Sequence, residues 1–148
     1  MKIFVDTNVF LEYLEHRIQF ENVKRIFDAA EDGKFELCMS SGGFYTITYL
    51  ITMGLKKKGI HRPEQTAVLT RALNAILYLS NILDISHSYI EKDVNDENFV
   101  DKEDGFQYYC ALENDCDIIV TINIKDYKNA DGGNIKVMSP SDFSSTYL

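Results

Sequence analysis

The stretch that decides the fold is FVDTNVFLEYL, residues 4–14. The apolar run IFV at residues 3–5 stops at Asp6, a pattern typical of a buried strand that ends in a turn. Thr7 or Asn8 can cap the helix that follows, whose apolar residues recur at helical spacing on one face. The N-terminus therefore predicts a strand, a short polar turn and a helix.

The same alternation of strand and helix continues along the chain. Further strands are predicted at 35–39, 82–85, 118–121 and 136–138, and helices at 20–30, about 40–54, 63–79, 86–94 and 101–114. Strands that alternate with helices favour a parallel sheet covered on both faces. We therefore expect an α/β protein with three layers, α/β/α, and a central, mostly parallel sheet of four or five strands. Residues 1–148 are predicted to form one domain.

Net charge, apolar runs and cysteine spacing argue against several classes of protein. The formal net charge of −8 argues against a protein that coats DNA, because such proteins carry a basic face. No apolar run approaches the roughly 20 residues that span a bilayer, and Asp6 interrupts the place of a signal peptide's apolar centre. We therefore expect a soluble, cytoplasmic protein without a membrane segment. Cys38, Cys110 and Cys116 lack CxxC spacing, which predicts reduced, buried thiols.

Polar side chains from distant segments are predicted to meet at one edge of the sheet. Asp6 follows the first strand, Asn123 and Asp126 follow a later one, and Asp104 lies in the first turn of the helix between them. In open parallel sheets, ligands bind at the carboxyl ends of the strands. Crowded carboxylates repel each other and stay ionised only beside a cation. Oxygen ligands without His or Cys favour Mg²⁺ or Mn²⁺, which activates water and binds phosphate.

A structural explanation exists for each acid taken alone. An Asp after a strand is often only a helix N-cap, and acids in a first helical turn complement the helix dipole. For Asp104 alone the dipole explanation is the simpler one. Asp101 and Glu103 are interpreted as dipole partners or outer groups rather than as direct metal ligands.

The motifs carry a resemblance. FVDTNVFLEYL resembles the opening motif of PIN-domain nucleases, and DKEDGFQYYCALENDCDIIVTINIKDY (101–127) resembles their second half, with an acidic helix start and a T-x-N/D-x-x-D-F/Y turn. VMSPSDF (137–143) resembles their closing strand and Pro turn. The similarity covers essentially the whole chain and looks closest to the VapC-like toxins of bacterial toxin–antitoxin pairs. A PIN-like three-layer fold is what this resemblance implies.

The resemblance also implies roles for single residues. Asp6 and Asp104 are the expected principal ligands of Mg²⁺ or Mn²⁺, and Asp126 is a further ligand. Asn123 stands where many relatives carry another acid. Relatives usually have a Glu in the helix after the second strand, where this chain has Thr46. The Thr46 hydroxyl can orient a water but adds no charge, so weaker metal affinity or a single ion is expected.

Substrate and partners follow from the same resemblance. It implies hydrolysis of single-stranded or looped RNA, neutralisation by a cognate antitoxin protein, and a homodimer. Candidate phosphate contacts are Lys56, Lys57, Lys58, Arg62 and Lys125, although a lysine run is ordinarily a solvated loop. The tyrosines Tyr45, Tyr49, Tyr108 and Tyr109 are expected mostly in the core or a dimer interface, with stacking on RNA bases as the alternative.

Two other functions compete with this hypothesis. A haloacid-dehalogenase-like phosphatase also has an Asp after its first strand, but it needs a second Asp two residues later, where this chain has Asn8. A PIN fold that has lost catalysis and only binds RNA or a protein partner is the other alternative, and Thr46 motivates it.

Overall fold

The central sheet has five strands, all parallel, in the order β3-β2-β1-β4-β5. The computed structural model describes residues 1–128, 130 and 135–148. The strands are β1 (Lys2–Val5), β2 (Glu36–Ser40), β3 (Asn81–Leu83), β4 (Ile118–Val120) and β5 (Lys136–Met138). The predicted α/β class, the parallel pairing and the upper strand count are confirmed.

Helices cover both faces of this sheet. They are α1 (Thr7–Leu14), α2 (Phe20–Glu31), α3 (Ser41–Lys57), α4 (Glu64–Leu79), α5 (His87–Val94), α6 (Lys102–Glu113) and α7 (Pro140–Tyr147), with a 3-10 helix at Ile124–Tyr127. Helix α7 was not predicted, because SPSDF suggested only a turn. The Ser139 hydroxyl caps it by accepting a hydrogen bond from the Asp142 amide, and Pro140 fits its first turn.

Strand β1 separates two apolar layers because successive side chains point to opposite faces of a sheet. Ile3 and Val5 pack into a core that α1, α2 and α7 cover, and this core includes Phe10, Phe27 and Phe143. On the other face, Phe4 packs with residues of α6 and with the loop before it. The predicted three-layer arrangement is confirmed.

The turn after β1 differs from its prediction in one respect. Asp6, rather than Thr7 or Asn8, occupies the N-cap position of α1, which begins at Thr7. At the start of α3 the prediction is confirmed, because the Ser40 hydroxyl accepts from the Gly43 amide at 2.9 Å. A Cβ on Gly43 would lie 2.9 Å from the Thr7 hydroxyl, so a glycine lets α3 approach α1 closely.

Candidate metal and phosphodiester site

Asp6 is buried at the carboxyl end of β1, and its side chain does not cap α1. Its Oδ2 atom instead accepts hydrogen bonds from Thr121 Oγ1 (2.7 Å), Asn8 Nδ2 (2.9 Å) and Tyr127 Oη (3.4 Å). The simple N-cap explanation therefore fails for this residue. A carboxylate held by donors from three segments is fixed in direction, as a ligand must be.

Pairing of β1 with β4 brings these partners together. The Asp6 amide donates to the Val120 carbonyl at 3.0 Å, so the two strands end side by side. Thr121 and the 3-10 helix that ends at Tyr127 follow directly, which places both hydroxyls against Asp6. Neither Thr121 nor Tyr127 was predicted from the sequence to belong to the site. Their place in the T-x-N-x-x-D-Y turn was the available signal.

Asp104 lies in the first turn of α6 and is half-buried. Burial raises the pKa of its carboxyl to about 7, and the negative charges of Asp6, Asp101, Asp126 and Glu103 add to the rise. Three segments of the chain thus bring acidic groups close enough to disfavour ionisation of this one. This is the electrostatic crowding that the sequence predicted.

Burial also raises the pKa of Asp6, against the lowering effect of hydrogen bonds from Thr121, Gln107, the Thr7 backbone and Tyr127. The pKa of the Tyr127 phenol rises well above its usual value because the group is buried and faces Asp6 and Asp104. Tyr127 therefore stays protonated and donates to Asp6 at neutral pH. The charged groups named as acting on Asp104 and Tyr127 are all carboxylates.

A hollow of about 260 Å³ opens between these side chains. It is lined by Asp6, Thr7, Asn8, Leu11, Thr46, Leu50, Asp101, Glu103, Asp104, Gln107 and Asn123. Four predicted site residues, Asp6, Asp104, Asn123 and Thr46, therefore meet there. Asp126 is exposed on the 3-10 helix and is not among the lining residues described, although its charge acts on Asp104.

The donors in the hollow fit a hard divalent ion that keeps most of its waters. Within residues 1–128, 130 and 135–148, no three His, Cys, Asp or Glu side chains are grouped closely enough to hold a metal ion by themselves. Mg²⁺, however, is usually bound through only one or two carboxylates plus waters. Asp6 and Asp104 could supply these carboxylates. A cation beside Asp104 would offset the negative charges that raise its pKa.

Other predicted contacts lie outside the hollow. The five candidate phosphate contacts are all exposed: Lys56, Lys57, Lys58, Arg62 and Lys125. Tyr108 is buried and Tyr109 half-buried, as expected for core residues, but Tyr45 and Tyr49 are 73% and 63% exposed. A core position is therefore wrong for Tyr45 and Tyr49, while a dimer interface or stacking on RNA stays a prediction for both. All three cysteines are buried and unpaired, as predicted.

Gly105, next to Asp104, makes room for a buried acid of α5. Asp93 is 0% exposed, and neither of its carboxylate oxygens has a hydrogen-bond partner among the described residues. A Cβ at position 105 would overlap this carboxylate. Burial raises the pKa of Asp93 to about 6, while Lys102 opposes the rise. The glycine in EDG is therefore a steric requirement of the α5–α6 contact.

We expect Gly105→Ala to destabilise the protein by about 1–3 kcal/mol through overpacking, although Ala is the better helix former. In an Asp93→Ala background the same change should cost nothing or stabilise the protein, since the clashing group is gone. Urea unfolding of the two single variants and the double variant measures this coupling. Equal effects of Gly105→Ala in both backgrounds would contradict the steric account.

A family model for the PIN domain matches residues 2–125 of the chain, which include Asp6, Asp104 and Asn123. The chain belongs to the PIN domain family. Ribonuclease VapC1 of Aquifex aeolicus (strain VF5) is 29% identical to this PIN domain over 150 residues, which cover 96% of this chain and 92% of that protein.

Two solved structures share the fold. One is the structure of VapBC2 from Rickettsia felis bound to a DNA fragment from the promoter. It matches with a TM-score of 0.67 and 16% identity, and the match covers 94% of this chain and 98% of that chain. Mycobacterium tuberculosis VapC20, a Sarcin-Ricin loop cleaving toxin, matches with a TM-score of 0.60 and 15% identity, covering 90% and 98%. Separately, no helix in the described part of this PIN domain is long and apolar enough to cross a membrane.

Proposed function

We propose that this PIN domain is a metal-dependent endoribonuclease and acts as the toxin of a toxin–antitoxin pair. One observation carries the proposal: Asp6 and Asp104, about a hundred residues apart in sequence, line one hollow, and the charge of Asp6 disfavours ionisation of Asp104. The curated relative with the name ribonuclease VapC1 supports RNA as the substrate, because the match covers 96% of the chain.

Asp6 and Asp104 would hold Mg²⁺ or Mn²⁺, and Asp126 would complete the set directly or through a water. Such an ion supplies an acidified water and neutralises charge on the phosphate. Thr121, Asn8 and Tyr127 hold the Asp6 carboxylate in one orientation through their hydrogen bonds. Asn123 and Thr46 present an amide and a hydroxyl to the same hollow, where they can orient the attacking water.

Asn8 argues against the phosphatase alternative. Its Nδ2 atom donates to Asp6 Oδ2 at 2.9 Å, so this residue supports the first acid. An amide in that role cannot act as the second carboxylic acid that a haloacid-dehalogenase-like phosphatase requires. The non-catalytic alternative rests on Thr46, which lines the hollow without adding charge.

The partners in the proposal are single-stranded or looped RNA, a cognate antitoxin that covers the acidic hollow, and a second copy of the chain in a homodimer. The proposed place of action is the cytoplasm. Support for an antitoxin comes from the fold shared with VapBC2, whose structure contains such a complex. A short neighbouring gene for a small DNA-binding protein would strengthen this part of the proposal.

The direct test is an incubation of the purified protein with a randomised single-stranded RNA pool, with Mn²⁺ or with EDTA. 4-Nitrophenyl phosphate serves as a parallel phosphomonoester substrate. We expect RNA cleavage with Mn²⁺ only, and no phosphomonoester hydrolysis. Hydrolysis of the monoester alone would favour the phosphatase, and RNA binding without cleavage would favour the non-catalytic module.

Thr46→Glu is expected to tighten Mn²⁺ binding by about tenfold, because a further carboxylate in the hollow adds negative charge to the ligand set. Calorimetric titration of Mn²⁺ measures the dissociation constant. Thr70→Glu, at an exposed position of α4, adds the same charge outside the hollow and should leave the constant unchanged. Equal effects of both variants would show that Thr46 does not face the ion.

A further inference from the structure

A second, larger groove of about 550 Å³ continues from the acidic hollow along α3. The two share Leu11 and Leu50 as lining residues, so they lie side by side. On α3, the lining passes from Thr46 and Leu50 in the hollow to Met53 and Lys57 in the groove. These positions are spaced by four, three and four residues, which places them on one helical face about 16 Å long.

The far end of this groove is cationic in a chain of net charge −8. Arg17, Lys57 and Lys58 line it, while Glu15 is the acidic lining residue. Arg17 and Glu15 neutralise each other in an ion pair of 2.6 Å. Lys57 and Lys58 are exposed and have no ion pair within the described part of the chain. Two uncompensated cations therefore face the groove.

Lysines at the end of a helix often only complement the helix dipole, and Lys56 and Lys57 both lie in the last turn of α3. The dipole explanation applies equally to both residues. The structure separates them, because Lys57 lines the groove and Lys56 does not. Gly54, between the apolar and the cationic parts, has open space where a Cβ would project, so the backbone of α3 is accessible there.

We propose that this groove, defined by Leu50, Met53, Gly54, Lys57 and Lys58, binds the single-stranded RNA that flanks the scissile phosphate. The inference rests on the proposed ribonuclease function. Positive charge at the end of an apolar groove suits a strand whose phosphates contact lysines while its sugars and bases contact apolar side chains. We favour RNA over an acidic protein segment as the occupant. An RNA substrate must bring its phosphates up to the strongly acidic hollow, and lysines beside the hollow reduce the repulsion between the phosphates and the carboxylates.

The test compares Lys57→Glu with Lys56→Glu, which make the same charge change one residue apart. A fluorescent randomised single-stranded RNA pool reports binding in EDTA, and cleavage of the pool with Mn²⁺ gives kcat and KM. We expect Lys57→Glu to weaken binding by about tenfold, to raise KM with kcat unchanged, and to reduce the salt slope of binding by about 0.7. Lys56 was also a candidate phosphate contact in the sequence, but it is not among the residues that line the groove, so Lys56→Glu should match the wild type in all three.

Gly54→Leu is a second, uncharged variant that fills the groove. It should also raise KM, while its helix should be at least as stable, because Leu favours helices and meets no atom within 4 Å at Cβ. Hydrolysis of bis(4-nitrophenyl) phosphate by the wild type tests the metal site separately from the groove. The inference would be overturned if Lys57→Glu and Gly54→Leu both kept the RNA affinity and the KM of the wild type. It would also be overturned if these variants lost affinity for a protein partner but not for RNA. If the wild type cleaves neither RNA nor the diester, the proposed function itself fails, and this inference with it.

Discussion

Asp6→Asn is expected to reduce RNA cleavage at least about a hundredfold. Loss of a residue that merely supports a metal ligand costs roughly 10–100-fold in affinity or activity, and a direct ligand should cost no less. The amide keeps the size of the side chain and can still accept from Thr121, so the fold should survive. Mn²⁺ binding should be lost together with cleavage, which initial rates and calorimetry measure separately.

Asp28→Asn is the matched control for this experiment. Asp28 is an exposed residue of α2 whose partner is Lys24, and it does not line the acidic hollow. The control should cleave RNA and bind Mn²⁺ like the wild type. Full RNA cleavage by Asp6→Asn, with normal unfolding behaviour, would remove Asp6 from the mechanism.

Asp104→Asn should stabilise the metal-free protein and at the same time abolish its stabilisation by metal. The folded-state pKa of Asp104 is about 7, against an ordinary value of 3.8, so the folded protein binds more protons between these values. The free energy of unfolding therefore falls as the pH rises through this window. At pH 8 the variant should gain about 1–2 kcal/mol after allowance for solvent screening, or roughly 3–6 °C in Tm.

The gain should shrink toward pH 4 and disappear below it, because the wild-type carboxyl is then protonated in both the folded and the unfolded state. With Mn²⁺ at about 100 times its dissociation constant, the wild type should gain about 2.7 kcal/mol and the variant nothing. Thermal unfolding at both pH values, with Mn²⁺ and with EDTA, gives all the comparisons. An Asp104→Asn variant that is less stable than the wild type in EDTA at pH 8 would contradict the proposed crowding.

The convergence of the acidic residues was predictable because topology alone determines it. Parallel strands end at one edge of a sheet, so Asp6 and Asn123 had to lie near each other once the strands were recognised. Asp104 could be placed near the same edge because the acidic start of its helix, which leads into β4, was recognisable in the sequence. No knowledge of side-chain packing entered these predictions, and the structure agrees with them.

Predictions that depended on packing were less successful. The burial of Asp93 against Gly105 involves two helices whose approach no local pattern specifies. The groove along α3 exists because α1 and α3 leave space between them, and only the structure separates Lys57 from Lys56. The exposure of Tyr45 follows from the rotation of α3 about its axis, which its mixture of apolar residues, threonines and glycines did not indicate.

A Mn²⁺ titration of the wild type, Asp6→Asn and Asp104→Asn by calorimetry at pH 8 is the most direct test of the proposed metal site. We expect saturable binding to the wild type and none to either variant, with RNA cleavage lost in the same two proteins. Equal Mn²⁺ affinity in all three, or undiminished RNA cleavage by the wild type in EDTA, would contradict it.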